Sequence, residues 1–259
     1  MSASLVVPRP HCDAPHRIVM FPYAGAGAAS YYPWLDGFDK TIEVGIIRLP
    51  AREARLDELA VRSIEVAVAD ILQQLGQYDG RTMVFFGHSL GALLACATCR
   101  ALAERGLTLP SLLIVSGRSA PQLPMRRDPI HALSRDEFFQ RLQALGGMPE
   151  EILAMPELMD YMEPVLRADL EINDRYCHAH LEPLDVPIVA LAGSEDHDFP
   201  EEDLWGWRAQ TAAAFHLHTF EGGHFFINEH RKEVIALIQL YVARYCKVVA
   251  CPVSDESYL

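Results

Sequence analysis

Apolar positions along the chain group into two kinds of segment. Six short runs, rich in aliphatic, β-branched or aromatic residues and bounded by glycine, proline or charge, have the length of strands: 17–22, 42–48, 82–87, 112–117, 187–193 and 216–220. Four longer segments carry apolar residues at helical spacing: 58–75, 90–104, 202–213 and 231–245. Residues 83–86 and 112–115 are almost continuously apolar, which is typical of strands covered on both faces in a parallel sheet. Strands that alternate with helices therefore predict an α/β fold with a mostly parallel central sheet flanked by helices.

One long segment, from 118 to about 184, interrupts this alternation. It has no strand-like run, only helical periodicity broken at the glycine pair 146–147 and at Pro149, Pro156 and Pro164. We expect a helical lid over the open end of the sheet. Methionines in such a lid either form an adaptable apolar surface for a flexible substrate or fill gaps between helices. Five of the eight fall here: Met125, Met148, Met155, Met159 and Met162.

Length and composition narrow the class of protein. The 259 residues fit a single domain over 1–259, and the formal net charge of −13 argues against nucleic-acid or anionic-membrane partners. No apolar stretch is long enough to span a bilayer, and residues 1–16 contain no signal-peptide hydrophobic region. The six cysteines have no disulfide-framework spacing, so we expect a reduced, cytoplasmic protein. The polar tail 251–259 is predicted to be frayed.

The clearest chemical motif is Gly-His-Ser-Leu-Gly at 87–91. It fits the pattern G-x-S-x-G, follows a predicted strand and opens a predicted helix. In that context a sharp turn holds the serine in a strained conformation and presents its hydroxyl at a helix N-terminus. Ser89 is therefore the predicted nucleophile. His88 points away from it in such a turn, so we interpret His88 as structural or as lining the pocket.

A general base and an acid must come from later in the chain, in the order Ser, Asp or Glu, His. His224 follows the last strand-like run on a Gly-Gly turn and precedes the final helix, which makes it the predicted base. Asp196 follows the strand 187–193 and is the predicted acid, with Glu195 and Asp198 as alternatives. The acid would hold the histidine in its correct tautomer and stabilise the imidazolium.

Two backbone N–H groups are needed for an oxyanion hole. One belongs to the residue after the nucleophile, Leu90, and the other comes from a loop after an early strand. Small residues in the loop 21–27 allow close approach of substrate, and we prefer Ala24 as the donor there, with Tyr23 as its competitor. Each donor of this kind contributes about 2.7–4 kcal/mol to transition-state stabilisation.

Neither a metal nor a cofactor is expected. His178 and His180 could suggest a metal pair, but no Cys/His cluster lies near them in the sequence. Cys96 and Cys99 form a C-x-x-C inside the predicted helix after Ser89, where packing is a better explanation than redox chemistry.

Taken together, these motifs resemble the type II thioesterases that accompany nonribosomal peptide and polyketide synthases, and the related medium-chain thioesterase of fatty-acid synthase. The matching stretches run in family order: Phe-Pro-Tyr-Ala-Gly-Ala-Gly at 21–27, Arg-Leu-Pro-Ala-Arg-Glu at 48–53, Gly-His-Ser-Leu-Gly at 87–91, Leu-Arg-Ala-Asp at 166–169, Gly-Ser-Glu-Asp at 193–196 and Gly-Gly-His-Phe-Phe at 222–226. The resemblance implies an α/β-hydrolase fold and agrees with the triad and the oxyanion donors chosen above. It departs at Ala51 and at Ala26, where the family usually has glycine.

The resemblance also implies a reaction. The substrate would be an acyl thioester on the phosphopantetheine arm of an acyl or peptidyl carrier protein. The enzyme would clear aberrant acyl groups or release a product. We expect it to act as a monomer. Because carriers are acidic, a local basic patch is needed, and Arg118, Arg126 and Arg127 are candidates unless they are ordinary solvated side chains. The alternatives are a carboxylesterase acting on free small-molecule or lipid esters, an acyltransferase, and a non-catalytic binding protein with this fold.

Overall fold

A six-stranded sheet forms the centre of the molecule. The computed structural model describes residues 5–76, 80–147, 155–177 and 182–246. All neighbouring strands are parallel, in the order β2-β1-β3-β4-β5-β6. Their bounds are β1 His16–Phe21, β2 Ile42–Ile46, β3 Thr82–His88, β4 Leu112–Ser116, β5 Ile188–Gly193 and β6 Phe215–Phe220. Every predicted strand is present, and the strand order reverses between β1 and β3, where open α/β sheets bind ligands beyond their carboxyl ends.

Helices cover both faces of the sheet. The helices α1 and α2 pack on one face, and α7 with the 3₁₀ helix Ala28–Gly37 packs on the other. The α-helices are α1 Ile64–Leu75, α2 Leu90–Glu104, α3 Arg135–Ala144, α4 Pro156–Arg175, α5 Glu201–Leu204, α6 Phe226–Glu229 and α7 Arg231–Tyr245. Both α2 and α7 have the bounds predicted from the sequence.

Two predicted helices differ from those observed. The segment 58–75 becomes helical only at Ile64, because Ser63 caps the helix by accepting from the N–H of Val66. The segment 202–213 splits into α5 and a 3₁₀ helix over Trp205–Gln210. Gly206 lies in that second part, where a Cβ would come within 2.8 Å of Leu123, so close packing replaces a regular helix there. No pattern in the sequence predicted the 3₁₀ helix Ala28–Gly37.

The segment predicted as a lid is only partly helical: residues 118–129 form turns and irregular structure, and the first helical turn begins at Ile130. Residues 118–147 and 155–177 form a 3₁₀ turn at Ile130–Ala132, α3 and α4, and contain no named strand. We call them the insertion. Its own core packs against Ala24 of the loop after β1 and consists of Ile130, Phe138, Leu142, Leu166 and Leu170.

The methionines of the insertion do not share one role. Met159 is buried, whereas Met155 is exposed, and Met125 and Met162 pack against the edges of apolar clusters. Met148 and the tail 251–259 lie outside the described residues. None of the described helices combines the length and hydrophobicity that crossing a lipid bilayer requires.

Core packing gives a first prediction. Phe86 is fully buried on β3, and its ring centroid lies 5.4 Å from that of Trp34. We expect Phe86→Ala to lower the free energy of unfolding by about 3–5 kcal/mol, because it removes apolar contacts and leaves a cavity. Leu240→Ala is the control, since Leu240 is 62% exposed and its loss should change stability by less than about 0.5 kcal/mol. Urea denaturation of both variants measures the difference, and equal losses would contradict this account of the core.

Candidate active site

Ser89 stands on a strained turn between β3 and α2. Its backbone has φ 55° and ψ −119°, a conformation that non-glycine residues rarely adopt, and its N–H donates to the carbonyl of Ser116 at 2.8 Å. The flanking glycines have a steric cause. A Cβ at Gly87 would lie 2.1 Å from the carbonyl oxygen of Gly91, and one at Gly91 would lie 2.2 Å from that of Phe21. Both glycines of the motif are therefore needed for β1, β3 and the start of α2 to make close backbone contact.

His224 and Asp196 form a buried hydrogen-bonded pair. The imidazole Nδ1 lies 2.6 Å from Asp196 Oδ2, and the two residues are 6% and 3% exposed. The other carboxylate oxygen accepts from the backbone N–H groups of Asp198 and Phe199, each at 3.2 Å. An Nδ1–H donated to this carboxylate leaves Nε2 as the proton acceptor, which is the tautomer that a general base needs. Of the three candidate carboxylates, the structure brings Asp196 to the imidazole and leaves Glu195 exposed.

The serine and the histidine line one pocket. The rest of its wall is largely apolar and comes from the loop after β1, the turn after β6, and the helices α3 and α4 of the insertion. An apolar chain attached to a reacting carbonyl would fit this pocket, because its wall combines Ser89 and His224 with apolar side chains. The lining residues are Tyr23, Ala24, Ser89, Leu142, Leu145, Gly147, Leu166, Leu170, His224 and Phe225.

The loop after β1 carries the predicted oxyanion donor. Ala24 and its competitor Tyr23 both line the pocket that contains Ser89, while Leu90 follows the serine at the first turn of α2. The N–H of Ala26 donates to the carbonyl of Tyr23 at 3.0 Å, and Gly25 has φ 76°. A positive φ at the third residue of a hydrogen-bonded turn is the type II geometry, which favours glycine.

His88 lies directly behind the proposed base. It is fully buried, its Nδ1 lies 2.9 Å from Ser116 Oγ, and its ring centroid is 4.9 Å from that of His224. Burial, with a smaller contribution from the charge of His224, lowers the pKa of His88 well below its usual value. His88 is therefore neutral at neutral pH and supports the base sterically without repelling its protonated form. Of the two interpretations from the sequence, the structural one holds.

Sequence reasoning missed a buried ion pair beside the pocket. Arg52 donates two hydrogen bonds to the carboxylate of Asp169, at 2.8 and 2.9 Å, and the residues are 7% and 1% exposed. The only sequence signal was that both belong to stretches shared with the thioesterases. The preceding residue, Ala51, has φ 65°, a backbone conformation that favours glycine.

The arginines considered as a docking patch are mostly not available for that role. Arg118 is 1% exposed, with its guanidinium over the ring of Phe199, and Arg127 is bound to Asp174 at 2.9 Å with its side chain 10% exposed. Their interpretation as solvated side chains is therefore wrong, because the side chains of Arg118 and Arg127 are almost completely withdrawn from solvent. Arg126 is more exposed, but it is paired with Asp203.

Two further pairs of residues were considered in the sequence, one for metal binding and one for redox chemistry. His178 and His180 lie outside the described residues. Cys96 and Cys99 are buried in α2, and burial raises the pKa of both thiols. Thiols kept in the protonated form are poor nucleophiles, in agreement with a packing role.

The chain is similar to known proteins in both sequence and structure. The gramicidin S biosynthesis protein GrsT of Aneurinibacillus migulanus is 34% identical over 236 residues, which cover 91% of each chain. The structure of RedJ, a thioesterase from the prodiginine pathway of Streptomyces coelicolor, superimposes with a TM-score of 0.82 at 33% identity, covering 93% of this chain and 95% of RedJ. BorB, a type II thioesterase from the borrelidin cluster, gives a TM-score of 0.80 at 26% identity, over 93% and 96% of the two chains.

These likenesses confirm the predicted α/β-hydrolase fold and the resemblance to type II thioesterases. The model of the thioesterase domain matches residues 16–240, which include every residue of the site described above. The chain therefore belongs to the thioesterase domain family.

Proposed function

We propose that the chain hydrolyses acyl thioesters on the phosphopantetheine arm of carrier proteins, using Ser89, His224 and Asp196 as a catalytic triad. The observation that carries this proposal is the buried Asp196–His224 hydrogen bond at the wall of the pocket that contains Ser89. GrsT, RedJ and BorB belong to the biosynthesis of gramicidin S, prodiginine and borrelidin, and BorB is a type II thioesterase, which supports a carrier-bound substrate.

The chemistry has two half-reactions. The Ser89 hydroxyl attacks the thioester carbonyl while His224 Nε2 takes its proton, and the tetrahedral intermediate collapses to an acyl-enzyme and the free thiol, which receives that proton. Water, deprotonated by the same imidazole, then hydrolyses the acyl-enzyme and restores the serine. Asp196 holds the imidazole in the tautomer needed for both steps.

The developing negative charge on the carbonyl oxygen needs fixed donors. We assign them to the backbone N–H groups of Ala24 and Leu90, because Ala24 lines the pocket beside Ser89 and Leu90 follows the nucleophile. The positive end of α2 adds to their effect. No cofactor is part of this proposal, since phosphopantetheine enters as part of the substrate, and one chain supplies all the groups, so we propose that the monomer is the active form.

The insertion would act as the lid. Leucines of α3 and α4 form part of the wall of the pocket that contains Ser89, so these helices would determine which acyl chains fit. A carboxylesterase acting on free esters would use the same groups. The two functions differ in whether the carrier protein itself contributes to recognition.

Replacement of the nucleophile is the first test. Ser89→Ala should lower kcat for an acyl thioester by about 10⁴-fold or more, because no acyl-enzyme forms. Release of the free thiol, followed with a thiol-reactive dye, measures turnover, and thermal unfolding checks that the variant is folded. Activity close to that of the wild-type protein in a folded variant would exclude Ser89 as the nucleophile.

The identity of the acid gives a second test. Asp196→Asn should lower kcat by about 10⁴-fold, because the amide favours the wrong imidazole tautomer. Asp198→Asn is the matched control two residues away, where the carboxylate binds Arg141 and Arg127 instead of the imidazole. We expect that variant to keep kcat within about 10-fold of the wild-type value. If Asp198→Asn caused the larger loss in the same thiol-release assay, the assignment of the acid would be wrong.

Carrier recognition is tested by comparing one acyl group on two thiols. We expect kcat/KM for the acyl carrier protein to exceed that for the same acyl group on free pantetheine by at least about 10-fold, since binding energy from the carrier is available to the transition state. Intact-mass analysis of the carrier and dye detection of the free thiol report the two rates. Equal values, or a large preference for a simple oxygen ester of the same acyl group, would favour the carboxylesterase.

A further inference from the structure

The loop that carries Ala24 is held by side chains that come from two distant parts of the chain. The N–H of Gly25 donates to Asp169 Oδ2 at 2.8 Å, and the carbonyl of Ala26 accepts from Arg52 Nη1 at 3.0 Å. Asp169 is on α4, within the insertion, and Arg52 follows β2. The loop, the segment after β2 and the insertion therefore meet at one buried ion pair.

These contacts fix consecutive peptide planes. Each peptide unit is rigid, so a bond to its carbonyl or to its N–H sets the direction of both groups. The Ala26 N–H bond to the Tyr23 carbonyl fixes the plane that also contains the N–H of Ala24. Asp169 fixes the next plane, between Ala24 and Gly25, and Arg52 fixes the plane after Ala26.

Packing adds to the hydrogen bonds. A Cβ at Gly25 would lie 2.4 Å from Leu166 Cδ2, so α4 rests directly on the loop one turn before Asp169. Gly25 has a positive φ, a conformation that L side chains rarely adopt. Without an acceptor for the Gly25 N–H, the Ala24–Gly25 peptide plane loses a hydrogen bond that sets its direction.

The charges of the pair also matter. A carboxylate 1% exposed and close to the site of a developing oxyanion would be costly and repulsive if it stood alone. The bidentate guanidinium of Arg52 neutralises it, and the same guanidinium donates to backbone oxygens of Ala26 and Pro50. The pair therefore gives the Gly25 N–H a rigid hydrogen-bond acceptor, and the net charge of the pair is close to zero.

We infer that Asp169, neutralised by Arg52, is the positioning residue of the oxyanion hole and holds the N–H of Ala24 toward the reacting carbonyl. This inference rests on the proposed function, because it assumes that Ser89 forms a tetrahedral oxyanion in this pocket. Asp169 itself does not contact the substrate; it acts through the Gly25 peptide.

The test distinguishes a change in the geometry of the oxyanion hole from a loss of folding stability. An acyl trifluoromethyl ketone accepts the Ser89 hydroxyl at its carbonyl, with the proton passing to His224, and leaves an alkoxide in the oxyanion hole. Its inhibition constant therefore reports on the same donors as kcat does. The variants are Asp169→Ala, which removes the acceptor, and Asp169→Asn, which keeps an oxygen for the Gly25 N–H.

A matched control is available in another buried ionic cluster. Glu43 on β2 is 2% exposed, binds Arg17 and Arg81, and accepts from the N–H of His11, but it lies outside the pocket. Glu43→Gln therefore removes a comparable buried carboxylate without touching the loop. All variants are assayed at a temperature where thermal unfolding shows them fully folded.

We expect Asp169→Ala to lower kcat by about 10–100-fold and to weaken the trifluoromethyl ketone by the same factor, with KM nearly unchanged. Asp169→Asn should show a smaller parallel loss, and Glu43→Gln should leave both quantities within about 2-fold. Two outcomes would overturn the inference. In one, folded Asp169→Ala has the kcat and the inhibition constant of the wild-type protein. In the other, it loses kcat but binds the trifluoromethyl ketone as tightly as before. If Asp169→Ala does not fold, Asp169→Asn alone decides by the same criterion.

Failure of the proposed function is recognised separately. Wild-type protein that releases no thiol from any acyl thioester, or Ser89→Ala that releases it normally, would contradict the triad itself. Normal wild-type turnover together with unaffected Asp169 variants would contradict only the positioning role.

Discussion

Close backbone contact at the carboxyl end of β1 is the constraint on which the site depends. Because Gly91 has no Cβ, the first turn of α2 lies against the carbonyl of Phe21, and Gly87 allows the chain to reverse tightly between β3 and α2. The positive φ of Ser89 follows from this contact. The loop 21–27 begins at the same point, so one steric arrangement places the nucleophile beside the backbone of Ala24. A larger residue at either glycine would separate the two.

Around this point, each of the two buried carboxylates of the site has its own hydrogen-bonding partners. Asp196 is satisfied by the imidazole of His224 and by two backbone N–H groups, and Asp169 by Arg52 and the N–H of Gly25. Buried carboxylates without such partners would be protonated or would destabilise the fold. The pairs thus allow charge to persist in a largely apolar pocket, where electrostatic interactions are stronger than in water.

The sequence predicted the sheet well because its strands are short, apolar and separated by helices of clear period. Ser89, Asp196 and His224 could be proposed because each follows a strand at a turn with a recognisable pattern. The Arg52–Asp169 pair could not be found in this way, since its members are 117 positions apart and neither residue has a local pattern that distinguishes it from a surface charge. Arg118 and Arg127 were misjudged for the same reason: burial of a charged side chain depends on the insertion folding over it.

The attachment of α4 to the loop limits how the pocket can open. Moving α4 as a rigid body would break the buried, bidentate Arg52–Asp169 pair and leave both charges uncompensated, which is costly. Helix α3 packs through Phe138 and Leu142 on the second half of α4. Its further contact with the loop after β5 is the partly exposed Arg141–Asp198 pair, and pairs of that kind are weak. Within α4, Pro164 lies five residues before Asp169 and cannot donate a backbone hydrogen bond, so the helix can bend there. Bending there would let the first half of α4 move for entry of an acyl chain, while the Arg52–Asp169 pair keeps the second half and the catalytic backbone in place.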